Sequence, residues 1–193
     1  MASPGVDQAR LIAEEFERAL VQFRPESIAI LGCAGGNGFE KIDPSVTRRV
    51  VAVDIIRTYL DAVLQRFAGA IPGLELHVMD LQADPVKFAP VNLVFAALVL
   101  EYIDLGISFQ AIRRMCLPEA IVTTMIQLRS DEFAPVTASP FPSLQSLASA
   151  MRLTDPDSVA TAAHLAGFRL TELRELRSSG GKSFAVQNFQ FEH

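Results

Sequence analysis

The amino-acid sequence predicts one α/β domain, a three-layer sandwich on a mostly parallel seven-stranded sheet that ends in an antiparallel hairpin. Two observations lead to this architecture. Short apolar runs alternate with segments of helical periodicity, and the runs are continuous, which is typical of strands covered on both faces. The last two runs are separated by Gly180-Gly181, a pair that favours the tight turn of a hairpin.

The composition limits the class of protein. Half of the 193 residues are hydrophobic and a fifth are charged, as expected for one globular domain over residues 1–193. The net charge of -5 provides no broad basic face for a phosphate backbone, so we expect no nucleic-acid partner. The most apolar run, Val91 to Leu100, is too short to cross a bilayer, so no membrane partner is expected.

The cysteines and the first residues indicate the cellular setting. Cys33 and Cys116 form neither a disulfide framework nor a metal-ligand spacing, so we expect reduced thiols and no metal site. Met1 to Gln8 contains no basic segment followed by an apolar one, which a signal peptide requires. We therefore expect a cytoplasmic protein.

The first elements are a helix, a strand and a turn. Asp7 to Phe23 has apolar residues at helical spacing, which predicts an amphipathic N-terminal helix within residues 1–25. Ser27 to Leu31 is the first predicted strand. The glycine-rich turn Gly32 to Gly38 follows it and leads into a brief helix that ends near residues 43–44.

Two further strands follow, each with a helical segment after it. Arg49 to Val53 is a β-branched run, and Thr58 is predicted to begin the next helix in a capping box. Leu74 to Met79 is the third strand. The pair Asp84-Pro85 has the pattern of an N-cap followed by proline, which predicts one short helical turn.

The centre of the chain contains two more strands and a break in the rhythm. Val91 to Leu100 is the fourth strand and Ala120 to Gln127 the fifth, with a helix from Ile107 to Cys116 between them. Residues 128–150 contain several prolines and show no clear period, which predicts a substrate lid.

The last elements are a helix and the hairpin. The Asp155-Pro156 pair begins a helix that continues to Ala166, and Gly167 takes the position just beyond the helix end. Arg169 to Leu176 and Ser183 to Phe191 are the final two strands, predicted to be antiparallel neighbours.

The turn after the first strand has a nucleotide-binding geometry, because glycine lets the backbone approach a ligand closely. As a dinucleotide fingerprint it is poor, since Ala34 and Asn37 stand where the second and third glycines belong. A turn that only reverses the chain direction is the alternative interpretation.

Two aspartates favour a ligand site. Asp54 ends the second strand and Asp80 ends the third, so both project from the same edge of the sheet as the glycine-rich turn. Thr58 and Asp84 are predicted to cap the following helices, which leaves the two carboxylates spare for a ligand. Open α/β sheets bind ligands at this edge.

In this order and spacing, the motifs resemble those of class I S-adenosylmethionine-dependent methyltransferases, a family with a Rossmann-like fold. Ile28 to Gly38 is similar to the family's first motif, a hydrophobic strand that runs into a G-x-G-x-G turn. Val50 to Asp54 resembles the second motif, and Met79 to Leu81 the third. Asn92 to Tyr102 resembles the fourth strand and the segment beneath the sulfonium.

The resemblance implies S-adenosylmethionine as the cofactor and assigns its contacts. By the family pattern, Asp54 holds the ribose hydroxyls, Asp80 meets the adenine amino group and Leu81 packs on the ring. The cofactor-binding residues that the resemblance predicts are Gly32, Ala34, Gly36, Asn37, Asp54, Ile55, Asp80, Leu81 and Ala97.

Two positions depart from the family pattern. Ile30 stands where the family commonly has an acid that helps to hold the methionyl amine, and Asn92 replaces an acid common at the start of the fourth strand. The amine would then be held by backbone carbonyls near Gly32 or Ala97, or by another group.

Glu101 and Tyr102 follow the fourth strand and are the predicted catalytic residues, because a methyl acceptor that holds a proton needs a base. The alternative is a helix cap for Glu101 and simple packing for Tyr102. The region lacks an Asn-Pro-Pro-Tyr-type motif, which would favour a nucleobase amine, so we expect a small-molecule acceptor.

Two other classes of protein stay open. One is a catalytically silent domain that uses the same fold for binding or dimerisation. The enzyme itself could also form a homodimer. The other class is a nicotinamide-dependent oxidoreductase, although the missing third glycine and the carboxyl-terminal hairpin argue against it.

Overall fold

A seven-stranded sheet forms the middle layer of the molecule. The computed structural model describes residues 4–129 and 153–192, so the predicted lid at residues 128–150 lies almost wholly outside the described residues. The strands are β1 (Ser27–Leu31), β2 (Arg49–Asp54), β3 (Leu74–Val78), β4 (Val91–Ala97), β5 (Cys116–Gln127), β6 (Phe168–Arg177) and β7 (Ser183–Phe191).

The order of the strands is β3-β2-β1-β4-β5-β7-β6. Strands β1 to β5 run parallel, whereas β7 is antiparallel to both of its neighbours, β5 and β6. The predicted sheet and its antiparallel carboxyl-terminal hairpin are therefore confirmed.

Helices cover both faces of this sheet. They are α1 (Pro4–Phe23), α2 (Arg57–Phe67), α3 (Leu105–Met115) and α4 (Pro156–Leu165). Buried residues of α1 and α2 pack on one face, and those of α3 and α4 pack on the other, which confirms the three layers. Within residues 4–129 and 153–192, no helix is long and apolar enough to cross a membrane.

The central strand shows why the apolar runs are continuous. Successive side chains of β1 point to opposite faces of the sheet, and each face is covered. Ile28 and Ile30 pack in the core beneath α1 and α2. Ala29 and Leu31 pack in the core beneath α3 and α4. All five residues of β1 are buried as a result.

The order in which successive strands are added to the sheet reverses at β1. Strands β2 and β3 lie on one side of β1, and β4 and β5 lie on the other. Parallel sheets open a crevice at such a switch point, between the carboxyl ends of the two central strands. The glycine-rich turn after β1 and the segment after β4 therefore border the same crevice.

Two predicted helix starts are wrong. Ile56, rather than Thr58, is the N-cap residue of α2, and no side chain caps this helix end. Residues 85–90 form no helix after Asp84, whose carboxylate instead accepts a hydrogen bond from the backbone N–H of Asp80 (2.9 Å). Short polar side chains also bond to nearby loop backbone, so a capping pattern alone does not determine a helix start.

Three element boundaries also differ from prediction. The brief helix after the glycine-rich turn is a single 3-10 turn, Phe39–Lys41. Strand β4 ends at Ala97 because Leu98 takes a left-handed backbone conformation (φ 55°), which breaks the extended chain. Strand β5 begins at Cys116, four residues early, and its pairing with β4 shifts register near Val91.

The start of α4 and its end are confirmed. Asp155 is the N-cap, and its side chain accepts a hydrogen bond from the backbone N–H of Ser158 (2.8 Å), with Pro156 in the first turn. Gly167 follows the helix with a left-handed φ of 89°, which glycine adopts without strain.

Gly73 provides a stringent test of this fold. A Cβ at Gly73 would lie 1.8 Å from the carbonyl oxygen of Arg48, where the turn before β3 meets β2. We expect Gly73→Ala to reduce the free energy of unfolding by about 3 kcal/mol, which lowers Tm by roughly 6–12 °C. The control is Gly69→Ala, because a Cβ there meets no heavy atom within 4 Å. Equal Tm values for the two variants would contradict the backbone contact.

Candidate functional site

The glycine-rich turn folds back on the end of β2. The N–H groups of Gly32 and Cys33 both donate to the carbonyl oxygen of Val53, at 2.9 and 3.1 Å. Gly36 has a left-handed φ of 78°, and a Cβ there would lie 2.8 Å from the Phe67 ring, so this position requires glycine. Ala34 takes a similar conformation (φ 44°) where the family has a glycine. The turn thus keeps the left-handed conformations it needs.

Asp54 joins this turn to the end of β2. Its Oδ2 accepts a hydrogen bond from the N–H of Ala34 and its Oδ1 one from the N–H of Ile56, both at 2.9 Å. The side chain is 7% exposed. The inference that Asp54 is spare is therefore wrong, yet each carboxylate oxygen has a second lone pair for a ligand hydroxyl.

Asp80 makes a similar local contact after β3. Its Oδ1 accepts a hydrogen bond from the N–H of Gln82 (2.9 Å), so this carboxylate is not fully spare either. Leu81, which follows it, is buried among core residues beneath α3. Ile55, beside Asp54, is 62% exposed and offers an apolar surface at the same edge. Acidic and apolar groups therefore lie side by side here, as a nucleoside requires.

The segment after β4 lies against the glycine-rich turn. A Cβ on Gly32 would be 3.2 Å from the Val99 side chain, so the two segments touch at the switch point. Between Ala97 and Val99, Leu98 is held left-handed, and its N–H donates to the carbonyl oxygen of Met125 (2.8 Å). Backbone strain at a bulky residue often marks a functional site. No sequence signal at Leu98 predicted this turn.

Glu101 links the segment after β4 to the end of β5. Its Oε1 accepts a hydrogen bond from the backbone N–H of Gln127 (2.8 Å). Its Oε2 is buried and has no hydrogen-bond partner among residues 4–129 and 153–192. Burial removes the charged form from water and raises the pKa of this carboxyl to about 7. A buried carboxyl with an unused oxygen and a pKa near neutrality suits proton transfer.

Tyr102 lies beside Glu101 in the chain, and Lys182 lies beside the Gln127 side chain. Burial and then the neighbouring Glu101 raise the pKa of the half-buried Tyr102 hydroxyl. The Nζ of Lys182 donates to Oε1 of Gln127 (3.4 Å), and burial lowers the pKa of this lysine. No sequence pattern marked Gln127, which the pairing of β4 with β5 brings beside Glu101, or Lys182, which the pairing of β5 with β7 brings beside Gln127.

The remaining predicted residues lie as follows. The side-chain N–H of Asn37 donates to the carbonyl oxygen of Ala9 in α1 (2.7 Å), so its amide faces the helix. Ile30, where the family has an acid, packs in the core beneath α1 and α2. Asn92 accepts hydrogen bonds from Ser27 at the amino edge of the sheet, opposite the crevice. Its substitution for an acid therefore has no direct bearing on the methionyl amine.

No metal site is found in the part of the chain that the structure describes. Its residues contain no group of three or more His, Cys, Asp or Glu side chains that could hold a metal ion. The two cysteines are buried, and burial raises the pKa of each thiol to about 12.

The fold and the crevice are those of an α/β domain with a candidate nucleotide site at the switch point. Residues 30–124 match a family model described as a methyltransferase domain. This match, together with the fold and the order of the motifs, supports a class I S-adenosylmethionine-dependent methyltransferase. A comparison with curated protein sequences gave no match.

Solved structures share the whole fold at low sequence identity. The N-methyltransferase NodS from Bradyrhizobium japonicum WM9 is 12% identical, with a TM-score of 0.71 over 100% of both chains. Geranyl diphosphate methyltransferase, solved with S-adenosylmethionine, is 13% identical, with a TM-score of 0.70 over 96% of this chain and 90% of that one. The [4+2]-cyclase SpnF is 10% identical, with a TM-score of 0.72 over 95% and 81%.

The residues present fit S-adenosylmethionine as the cofactor. Asp54 retains lone pairs for a ribose diol, Ile55 exposes an apolar side chain next to it, and Asp80 lies at the same edge. NodS has also been solved in complex with S-adenosyl-L-homocysteine. The family match and the fold support S-adenosylmethionine-dependent methyl transfer as the reaction class.

Proposed function

We propose that the chain methylates a small-molecule acceptor at the carboxyl ends of β4 and β5, with Glu101 as the group that takes the acceptor's proton. One observation carries this proposal. The Oε2 of Glu101 is buried without a partner among the described residues, while Oε1 is held by the N–H of Gln127. A buried acceptor atom left unpaired is unfavourable, so a ligand that donates to it gains affinity.

The residues of the chain would have two roles, binding the cofactor and accepting a proton. S-adenosylmethionine, when bound, supplies a methyl group on a positively charged sulfur. Asp54 would hold the ribose hydroxyls and Asp80 the adenine amino group, so that the crevice orients the reacting atoms. Glu101, held by Gln127, would remove a proton from the acceptor heteroatom, and Tyr102, its neighbour in the chain, would contact the acceptor.

Charge and precedent favour a small molecule over a nucleic acid. The net charge of -5 makes a phosphate backbone a poor partner. By its name, geranyl diphosphate methyltransferase acts on a small molecule within the same fold. NodS is described as an N-methyltransferase, which places an amine among the acceptors to test.

A catalytically silent binding domain is the second candidate. Both oxygens of Asp54 already accept backbone hydrogen bonds, so the turn is held without a ligand. SpnF, described as a [4+2]-cyclase, shows that a protein of this fold can have another activity. The two candidates differ in turnover rather than in cofactor binding.

A thermal unfolding series tests the cofactor first. A ligand at about a hundred times its Kd adds about 2.7 kcal/mol, and we expect S-adenosylmethionine and S-adenosylhomocysteine each to raise Tm by roughly 5–10 °C. NAD is the control ligand, and no shift is expected with it. A shift with NAD alone would contradict the assignment.

A methyl-transfer assay then separates the two candidates. The protein is incubated with S-adenosylmethionine labelled on the methyl group and with pools of small-molecule amines, alcohols and carboxylic acids. Release of S-adenosylhomocysteine that depends on one pool supports the enzyme. Tight cofactor binding without turnover in any pool favours the silent domain.

A further inference from the structure

Helix α1 touches three segments at the carboxyl edge of the sheet, and two of them border the crevice. On the glycine-rich turn, Asn37 donates to the carbonyl oxygen of Ala9 (2.7 Å), and a Cβ on Gly38 would meet the Ala13 Cα at 3.3 Å. At the segment after β4, Leu11 packs in one cluster with Ala97 and Leu98. The third contact is with the turn between β6 and β7.

Asp7 makes this third contact. Its Oδ2 accepts hydrogen bonds from the Ser179 hydroxyl (2.8 Å) and the Gly180 N–H (3.3 Å), and its Oδ1 accepts one from Arg10 (2.9 Å). The side chain is 5% exposed. The hydrogen bonds from Arg10 and then Ser179 lower the pKa of Asp7 to about 2, so its carboxylate is charged at neutral pH.

The β6–β7 turn and the first turns of α1 lie at the same edge of the sheet as the crevice. Strand β7 begins beside the end of β5, as the pairing of Gln127 with Phe184 shows, so the β6–β7 turn lies at the carboxyl edge of the sheet. Helix α1 contacts this edge through Asp7 and Ala9, which reach the β6–β7 turn and the glycine-rich turn. Its first turns therefore lie at the same edge as the crevice.

We propose that Asp7 is a positioning residue for the cofactor: it fastens the first turns of α1 to the β6–β7 turn and so holds the helix against the crevice. The cofactor then leaves only when this end of α1 moves. The proposal rests on cofactor binding in the crevice and is independent of the acceptor.

Two variants break the fastening in different ways. Asp7→Ala removes the carboxylate, and Ser179→Ala removes one donor while the Asp7–Arg10 pair remains. The matched control is Glu14→Gln, because Glu14 also pairs with Arg10 (2.6 Å) but is exposed and does not reach the turn. All four proteins are compared in Kd and dissociation rate for S-adenosylhomocysteine and in amide hydrogen exchange.

We expect Asp7→Ala to raise the Kd for S-adenosylhomocysteine about tenfold, mostly through faster dissociation. Ser179→Ala should act in the same direction by about threefold, and Glu14→Gln should match the wild type. Amides of residues 8–14 should exchange faster in Asp7→Ala, and S-adenosylhomocysteine should slow them in the wild type.

Other outcomes overturn the proposal in distinguishable ways. A lower Tm for Asp7→Ala with an unchanged dissociation rate would mean that Asp7 only stabilises the fold. A wild type that does not bind S-adenosylhomocysteine would overturn both the cofactor assignment and the role of Asp7. Equal effects of Asp7→Ala and Glu14→Gln would point to the Arg10 ion pair instead of the turn.

Discussion

Asp54→Asn is expected to raise the Kd for S-adenosylhomocysteine about a hundredfold. The carboxylate is assigned to two ribose hydroxyls, and a hydrogen bond to a charged group contributes roughly 1.5–3 kcal/mol, with tenfold in Kd for each 1.4 kcal/mol. Asp54 accepts hydrogen bonds from the N–H groups of Ala34 and Ile56. Asparagine would turn an NH2 group toward one of these donors, so one of the two hydrogen bonds would be lost. Titration calorimetry gives the Kd.

The control for Asp54 is an exposed aspartate on the neighbouring helix. Asp61 is 58% exposed and pairs with Arg57, so Asp61→Asn makes the same change of charge without reaching the crevice. Its Kd should stay within about twofold of the wild type, because surface ion pairs contribute little. If Asp54→Asn binds as tightly as Asp61→Asn, the cofactor lies elsewhere.

Glu101→Gln should lower kcat about 10²- to 10⁴-fold, the usual contribution of a general base. Glutamine keeps the size of the side chain and an oxygen for the N–H of Gln127, so the fold and the Kd for S-adenosylhomocysteine should be unchanged. Single-turnover rates with an acceptor found by the methyl-transfer assay measure the effect. Glu119→Gln, an exposed acid at the amino edge of the sheet, is the control.

The pH dependence provides a second measurement on Glu101. The wild-type kcat should rise with pH through about 7, where the buried carboxyl loses its proton, and Glu101→Gln should lack this rise. A raised carboxyl pKa makes the folded state hold a proton that the unfolded state releases between about pH 4.5 and 7, so stability falls across that window. The Tm of Glu101→Gln should therefore equal the wild-type value at pH 5 and exceed it at pH 8. Identical kcat and Tm profiles would exclude Glu101 as the base.

Local patterns in the sequence predicted the elements well where one interaction decides them. Strand β1 begins and ends where predicted, since a continuous apolar run between Pro25 and Gly32 has no other arrangement that buries it. Asp155, Pro156 and Gly167 bound α4 through local backbone chemistry. Thr58 was wrong as a cap because the same residue types occur inside a first helical turn.

The order of the motifs also predicted which residues share an edge of the sheet. Asp54, Asp80 and the turn beginning at Gly32 follow parallel strands, and the carboxyl ends of parallel strands always meet at one edge. The resemblance then identified the family. The hydrogen-bond partners of each side chain at that edge were not predictable, because several backbone N–H groups lie within reach of Asp54 and Asp80.

The sequence by itself therefore determined the fold class, the edge of the sheet where the candidate site lies and, through the family resemblance, the expected cofactor. Only the tertiary structure decided that Glu101 is buried against Gln127, 26 residues away, and that Asp7 reaches Ser179, 172 residues away. The physical reason is that desolvation and hydrogen bonding depend on neighbours in space. Strand pairing and helix packing set those neighbours, and no local pattern at Asp7 or Glu101 encodes them.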